Sequence, residues 1–148
     1  MHVRALEDRG WFVVLDVGEE IVASLHRVAL DHGVTGAQVA GLGAVCEAEL
    51  AFFDPATNLY QRATFDEPME IGNLVGNLGV ADGQPRLHAH VTLGRRDFSA
   101  VTGHLVRGVI GVTGEFALLA LPGGLARTRS ERFALDLLDL GARPGGER

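Results

Sequence analysis

Arg86-Leu87-His88-Ala89-His90-Val91-Thr92-Leu93, followed after a short break by Val101-Thr102-Gly103-His104-Leu105-Val106, decides how the rest of the chain is read. Residues two apart on a strand share a face, so His88 and His90 present adjacent imidazoles on one side while Leu87, Ala89 and Val91 take the other. If Leu93 and Val101 bracket a hairpin loop from Gly94 to Ala100, pairing symmetric about Asp97 sets His104 opposite His90. Cross-strand neighbours have Cβ atoms about 4.5–5.5 Å apart, close enough for a third nitrogen to reach a shared ion. Register is decisive, because a slip of one residue turns every side chain to the opposite face. Gly103 leaves room beside His104 for a bulge or a close backbone approach.

Three neutral imidazoles leave one position open on a tetrahedral zinc, whereas structural zinc sites close all four, often with cysteines. This chain has a single cysteine, Cys46. Zinc at His88, His90 and His104 is the expected cofactor, with iron, nickel, copper and manganese as alternatives that imidazole also suits. The plain alternative is that His88 and His90 are ordinary strand residues with hydrogen-bonded tips and that His104 is unrelated. His2, His26 and His32 read as surface residues, at the N-terminus or on a helix.

Outward from this segment the pattern is mostly strand. Residues 1–6 and 11–17 read as strands joined by a turn at Asp8-Arg9-Gly10, the second apolar enough for burial on both faces. From Glu19 the period changes: Ile21, Val22, Leu25, Val28 and Ala29 recur at helical spacing, with Glu19 and Glu20 suited to the N-terminus and Gly33 to the stop. Further strands are expected at about 37–45, 47–53, 59–65, 69–79, 87–93, 101–106 and 112–121. Asp54-Pro55-Ala56-Thr57-Asn58 and Ala81-Asp82-Gly83-Gln84-Pro85 carry turn chemistry. Short antiparallel strands with one early helix make an α+β, sheet-rich single domain, placed at residues 1–140, with a polar, glycine-rich tail at 141–148 expected to fray.

Composition agrees. The 148 residues are 47% hydrophobic and 22% charged, enough for one ordinary core; apolar and polar stretches alternate and no segment is long or apolar enough to cross a bilayer, so neither disorder nor membrane insertion fits most of the chain. The 20 glycines exceed the roughly 7% of average usage and are spread out, as many turns and bulges require. The N-terminus lacks the apolar core of a signal peptide and a lone cysteine cannot form an internal disulfide, so a cytoplasmic location is expected. A net charge of −6 works against non-specific nucleic-acid binding, which depends on lysines and arginines displacing counterions.

Taken in order, Gly41-Leu42-Gly43-Ala44-Val45, Phe52-Phe53-Asp54, Glu70-Ile71-Gly72-Asn73-Leu74-Val75-Gly76-Asn77, Asp82-Gly83-Gln84-Pro85-Arg86-Leu87-His88-Ala89-His90, Gly103-His104-Leu105 and Thr113-Gly114-Glu115-Phe116 resemble the prokaryotic branch of the Plants and Prokaryotes Conserved (PPC) domain over almost the whole chain. The resemblance implies an antiparallel β domain with one main helix, commonly a homotrimer, and a DNA-binding label that comes mainly from plant relatives carrying an AT-hook. Here Arg143-Pro144-Gly145 is only a fragment of such a hook. The fold is also similar to that of acetolactate decarboxylase, whose zinc is held by three histidines including a His-x-His pair. An enzyme of that kind needs a carboxylate or arginine near the metal, and Glu70, Glu115 and Arg86 are the candidates, each of which is otherwise an ordinary exposed strand charge.

Other features have simpler readings. Gly41-x-Gly43 lacks the rest of a dinucleotide motif and reads as a strand bend or tight packing. Cupins share the His-x-His pair but add a glutamate where Thr92, Leu93 and Gly94 stand. Cys46 reads as a buried, inert thiol. Arg86, Arg95, Arg96 and Arg107 could gather as a small basic patch that holds an anionic ligand. Exposed strand edges favour assembly, and a cyclic trimer is the expected form. Two functions follow as expectations: a metal-binding PPC-domain module that acts as a DNA-binding or regulatory protein, or a small zinc metalloenzyme of lyase or hydrolase type that uses the open coordination position. Whether any reaction occurs stays open.

Overall fold

A computed structural model of the chain describes residues 1–144. Its elements are β1 (His2–Ala5), β2 (Gly10–Leu15), α1 (Ile21–Asp31), β3 (Ala37–Asp54), β4 (Leu59–Phe65), β5 (Met69–Ala81), β6 (Gln84–Gly94), β7 (Ala100–Ala120), β8 (Ala126–Arg129) and β9 (Asp136–Asp139), with one 3₁₀ turn at Glu7–Arg9. The strands form one sheet in the order β1-β2-β7-β3-β5-β8-β9, with β4 on β3 and β6 between β5 and β7. Because β3 pairs with both β5 and β7, and β6 with both as well, these four strands close into a ring. Closure removes edges that would otherwise be open to other chains. The expected α+β fold with a single main helix is what the chain adopts; one parallel bridge, Val80 to Ala126, interrupts the antiparallel pattern.

The core explains why these segments are strands. Val13, Leu15, Val39, Leu74, Ala89, Val91, Leu93, Ile110, Phe116 and Leu118 alternate inward along their strands and are fully or almost fully buried. Helix α1 lays Ile21, Leu25, Val28 and Ala29 onto β6 and β7. Its N-cap is Glu20, whose carboxylate accepts from Val22 N (3.0 Å) and Ala23 N (2.6 Å) and also from Gly108 N of β7 (3.1 Å). Glu20→Ala removes all three hydrogen bonds at once, and urea unfolding is expected to show a loss of about 1–2 kcal/mol.

Several expectations need correction. Segments 37–45 and 47–53 are one strand, as are 101–106 and 112–121. The β3–β7 ladder shifts register between Gly43 and Val45, between Val45 and Glu47, and between Glu49 and Leu50. Each bulge changes the phase of alternation without ending the strand, which imitates a boundary in the sequence. In strand β2 only Gly10, Val13 and Leu15 are buried, while Phe12 faces outward. The loop expected at 81–85 is a two-residue turn, Asp82-Gly83, with φ of 50° and 72°, so Gln84, Pro85 and Arg86 already belong to β6. Strands β8 and β9 were not anticipated. Of the expected tail 141–148, residues 145–148 lie outside the described residues, as does Gly145 of the hook fragment.

Candidate metal centre

Strands β6 and β7 bring the histidines together. Their ladder runs His90↔His104, Val91↔Gly103, Thr92↔Thr102, Leu93↔Val101 and Gly94↔Ala100, the register that symmetry about Asp97 requires. The connecting turn is closed by Arg95 N donating to Ser99 O (2.8 Å), and Asp97 Oδ1 accepts from Ser99 N (3.0 Å) and Ser99 Oγ (2.6 Å). Gly103 carries no bulge in this ladder. A Cβ there would stand 3.1 Å from Ala51 O, so the glycine serves the close approach of β3.

Ala89 and Val91 point into the core, leaving His88 and His90 on the accessible face and His104 half-buried opposite. Ring centroids are 5.3 Å apart for His88–His90, 5.3 Å for His88–His104 and 5.7 Å for His90–His104. One ligand nitrogen from each ring lies within 4.8 Å of the others. Around a tetrahedral zinc with bonds of about 2.0–2.1 Å, ligand nitrogens stand about 3.3 Å apart.

Electrostatics favour the neutral, ligating form. Burial above all, then the neighbouring His88, His90, Arg62 and Arg127, brings His104 down to about 4. Burial, followed by Arg127 and His90, also lowers His88. His104 Nδ1 is buried and has no hydrogen-bond partner within the protein. An unpartnered buried nitrogen is costly unless something beside it bonds to it, and a cation would do so. The donor set therefore fits a divalent metal.

The same shift has a consequence for the metal-free protein. His104 is lowered from 6.5 to about 4 on folding, so below pH 6.5 the unfolded chain takes up a proton that the folded chain refuses. The full stability holds above pH 6.5 and declines as pH falls toward 4, with the lowered His88 and His26 acting in the same direction. Thermal midpoints of chelator-treated protein across this window are expected to fall with pH, and more steeply than those of His104→Gln.

Residues that sequence reasoning missed complete the surroundings. Tyr60 of β4 lies over His104, with centroids 5.6 Å apart. Arg127 of β8 is buried to 9% exposure, donates to Asn77 Oδ1 and to Asp136 O (3.1 Å), and leaves Nε without a partner. With Arg86, Leu87, His88, Leu135 and Leu137 these residues line a cavity of about 190 Å³. Tyr60 reaches His104 through the long-range pairing Ala51↔His104, with Phe53↔Tyr60 beside it, which no local pattern discloses. Nothing pointed to Arg127, whose strand is too short to show a period.

Of the three residues named as candidates near the metal, only Arg86 lines this cavity. Glu70 sits opposite Gly94 and Ala44, and Glu115 opposite Leu42 and Val14, both well along their strands from the histidines. The expected arginine patch does not assemble: Arg95 pairs with Glu67 (3.0 Å), Arg107 with Glu47, and Arg96 lines a different cavity with Phe98 and Cys46. Cys46 itself is exposed rather than buried. His26 is no surface residue, since its Nε2 accepts from Leu87 N (3.0 Å) and so ties α1 to the strand of His88. Gly41 and Gly43 serve packing and a bend: a Cβ on Gly41 would lie 2.2 Å from the Phe116 ring, and Gly43 adopts φ 144° at a register shift.

No curated protein matches the sequence. Among solved structures, a proposed DNA-binding protein from Bacteroides thetaiotaomicron is 33% identical over 95% of this chain and 98% of its own, with a TM-score of 0.91. A metal-containing protein from Archaeoglobus fulgidus is 28% identical over 86% of this chain and 90% of its own, with a TM-score of 0.79. A Staphylococcus aureus protein of unknown function, described as similar to alpha-acetolactate decarboxylase, shares the fold alone: 10% identity over 72% of this chain and 51% of its own, TM-score 0.50. The sequence itself matches the Plants and Prokaryotes Conserved (PCC, also written PPC) domain over residues 5–122, and the chain belongs to that family.

Proposed function

We propose that this protein is a metal-binding PCC-domain module in which His88, His90 and His104 hold one divalent ion, with zinc as the best fit. The observation that carries this reading is the convergence of three ligand nitrogens within 4.8 Å across one strand pair. The related metal-containing protein supports it. Neutral nitrogen donors in a partly open face suit zinc, and three of them leave a coordination position for an incoming group. Bound there, the ion would supply Lewis acidity to whatever occupies that position. Elemental analysis with zinc titration tests the reading: about one ion per chain is expected, and no uptake at neutral pH would dismiss it.

As a regulatory module its partner would be DNA, a role supported by the relative described as a proposed DNA-binding protein. Against it stand 19 acidic residues to 13 basic ones. A gel shift at low salt that weakens as salt rises is expected for this role, and absence of binding at low salt would end it. The enzyme reading is favoured by the cavity against His88 and His104. Turnover of a small keto acid or ester that disappears in His88→Ala would establish it, while turnover unchanged by that substitution would refute it. Assembly as a homotrimer is part of the proposal. Leu42, Phe52 and Val112 expose apolar surface on β3 and β7, and sedimentation equilibrium should return three times the chain mass, a monomer excluding it.

A further inference from the structure

We propose that the β8–β9 hairpin turns the face beside the histidines into a binding subsite for a small organic carboxylate, held by Arg127 and Arg86; this rests on the metal reading above. Two observations carry it. Among the described residues only two buried side-chain polar atoms lack a hydrogen-bond partner, His104 Nδ1 and Arg127 Nε, and both residues line the same cavity. The metal of the reading above would take the first of these, which leaves Arg127 Nε as a buried donor in want of an acceptor.

The second observation is how Arg127 is held. Its terminal nitrogens donate to Asn77 Oδ1 and to the Asp136 carbonyl, and Asn77 is the residue directly across the ladder from His88. Asp136 is the only acidic residue lining the cavity, and its carboxylate is engaged by Arg129 at 3.3 Å. Arg127 therefore keeps its charge beside the histidines without a direct carboxylate partner, an expensive arrangement for a group this buried. Arg86 adds a second guanidinium, which makes no salt bridge among the described residues and whose one hydrogen bond within the protein is to Pro85 O (3.4 Å). In a chain of net charge −6 this is a local reversal of sign.

The other wall is apolar, made by Leu87, Leu135 and Leu137, with the Tyr60 ring at one side. An anion alone would leave that wall unused; an organic acid with a short hydrocarbon part would cover it. At about 190 Å³ the cavity is of a size for a small molecule. Arg127, Leu135, Asp136 and Leu137 all lie beyond residues 5–122, so this chain's subsite is built by a segment outside the family match.

Cobalt(II)-loaded protein tests the proposal, because its visible absorption changes when a group joins the coordination sphere. Acetate and lactate are expected to change the spectrum saturably, and acetamide not to. Arg127→Gln should weaken lactate at least about tenfold with cobalt stoichiometry unchanged. Arg86→Gln, at an exposed position that leaves the fold intact, should weaken it several-fold. Cobalt binding without any response to carboxylates, a response as strong to inorganic phosphate, or undiminished lactate affinity in Arg86→Gln would overturn this subsite and leave the metal reading standing. Failure to take up cobalt at all would overturn the metal reading, and the subsite with it.

Discussion

A His90→Ala variant is expected to leave purification with only background divalent metal, where the unaltered protein carries about one ion per chain. His90 is one of three donors, and no other cluster of three or more ligating side chains exists among the described residues to replace it. Loss of a direct ligand should exceed the 10–100-fold penalty, roughly, of losing a group that only orients one. The ring lies on the accessible face, so the metal-free stability should move by no more than about 0.5 kcal/mol. The signature is therefore a variant that folds like the metal-free parent but whose thermal midpoint no longer rises with added zinc, since stabilisation by a ligand requires binding to the native state. Zinc-dependent stabilisation equal to that of the parent would show that the ion, if present, sits elsewhere.

Gly76→Ala is expected to damage the fold and the site together. Gly76 lies opposite Ala89 in the β5–β6 ladder, and a Cβ there would meet His88 O at 2.3 Å, Ala89 Cα at 2.7 Å and Ala89 Cβ at 2.8 Å. Two of these are backbone atoms, so relief requires β6 to move away from β5. That displaces the strand carrying His88 and His90. Overpacking of this kind costs about 3 kcal/mol or more when backbone must yield. Denaturant unfolding should show that loss, and zinc affinity should fall with it. Gly83→Ala is the control. Its Cβ meets nothing within 4 Å, but φ is 72°, so about 1 kcal/mol is expected and zinc affinity should be untouched.

What the sequence disclosed, and what it withheld, follows from the range of the interactions involved. The His90↔His104 pairing was legible because a hairpin's register depends on its own turn, and Asp97 sits at the midpoint of a local pattern. Helix α1 was legible for the same reason, its buried residues recurring along one face. The lengths of β3 and β7 were not, because bulges near Val45 and Glu49 break the alternation while the pairing continues. The ring of β3, β5, β6 and β7 was also hidden, since closure joins strands far apart in the chain. Around the histidines, local alternation placed the rings but said nothing of Tyr60 or Arg127, which arrive from β4 and β8 by long-range pairing. Glu70 and Glu115 do not neighbour the histidines for a related reason: sequence alone does not tell how far along the strands they lie.

X-ray absorption at the zinc edge of the zinc-loaded protein tests most directly whether His88, His90 and His104 share one ion. Scattering from about three imidazoles, with nitrogen at about 2.0–2.1 Å, is the expected result. Coordination by oxygen alone, or by a single imidazole, would contradict it.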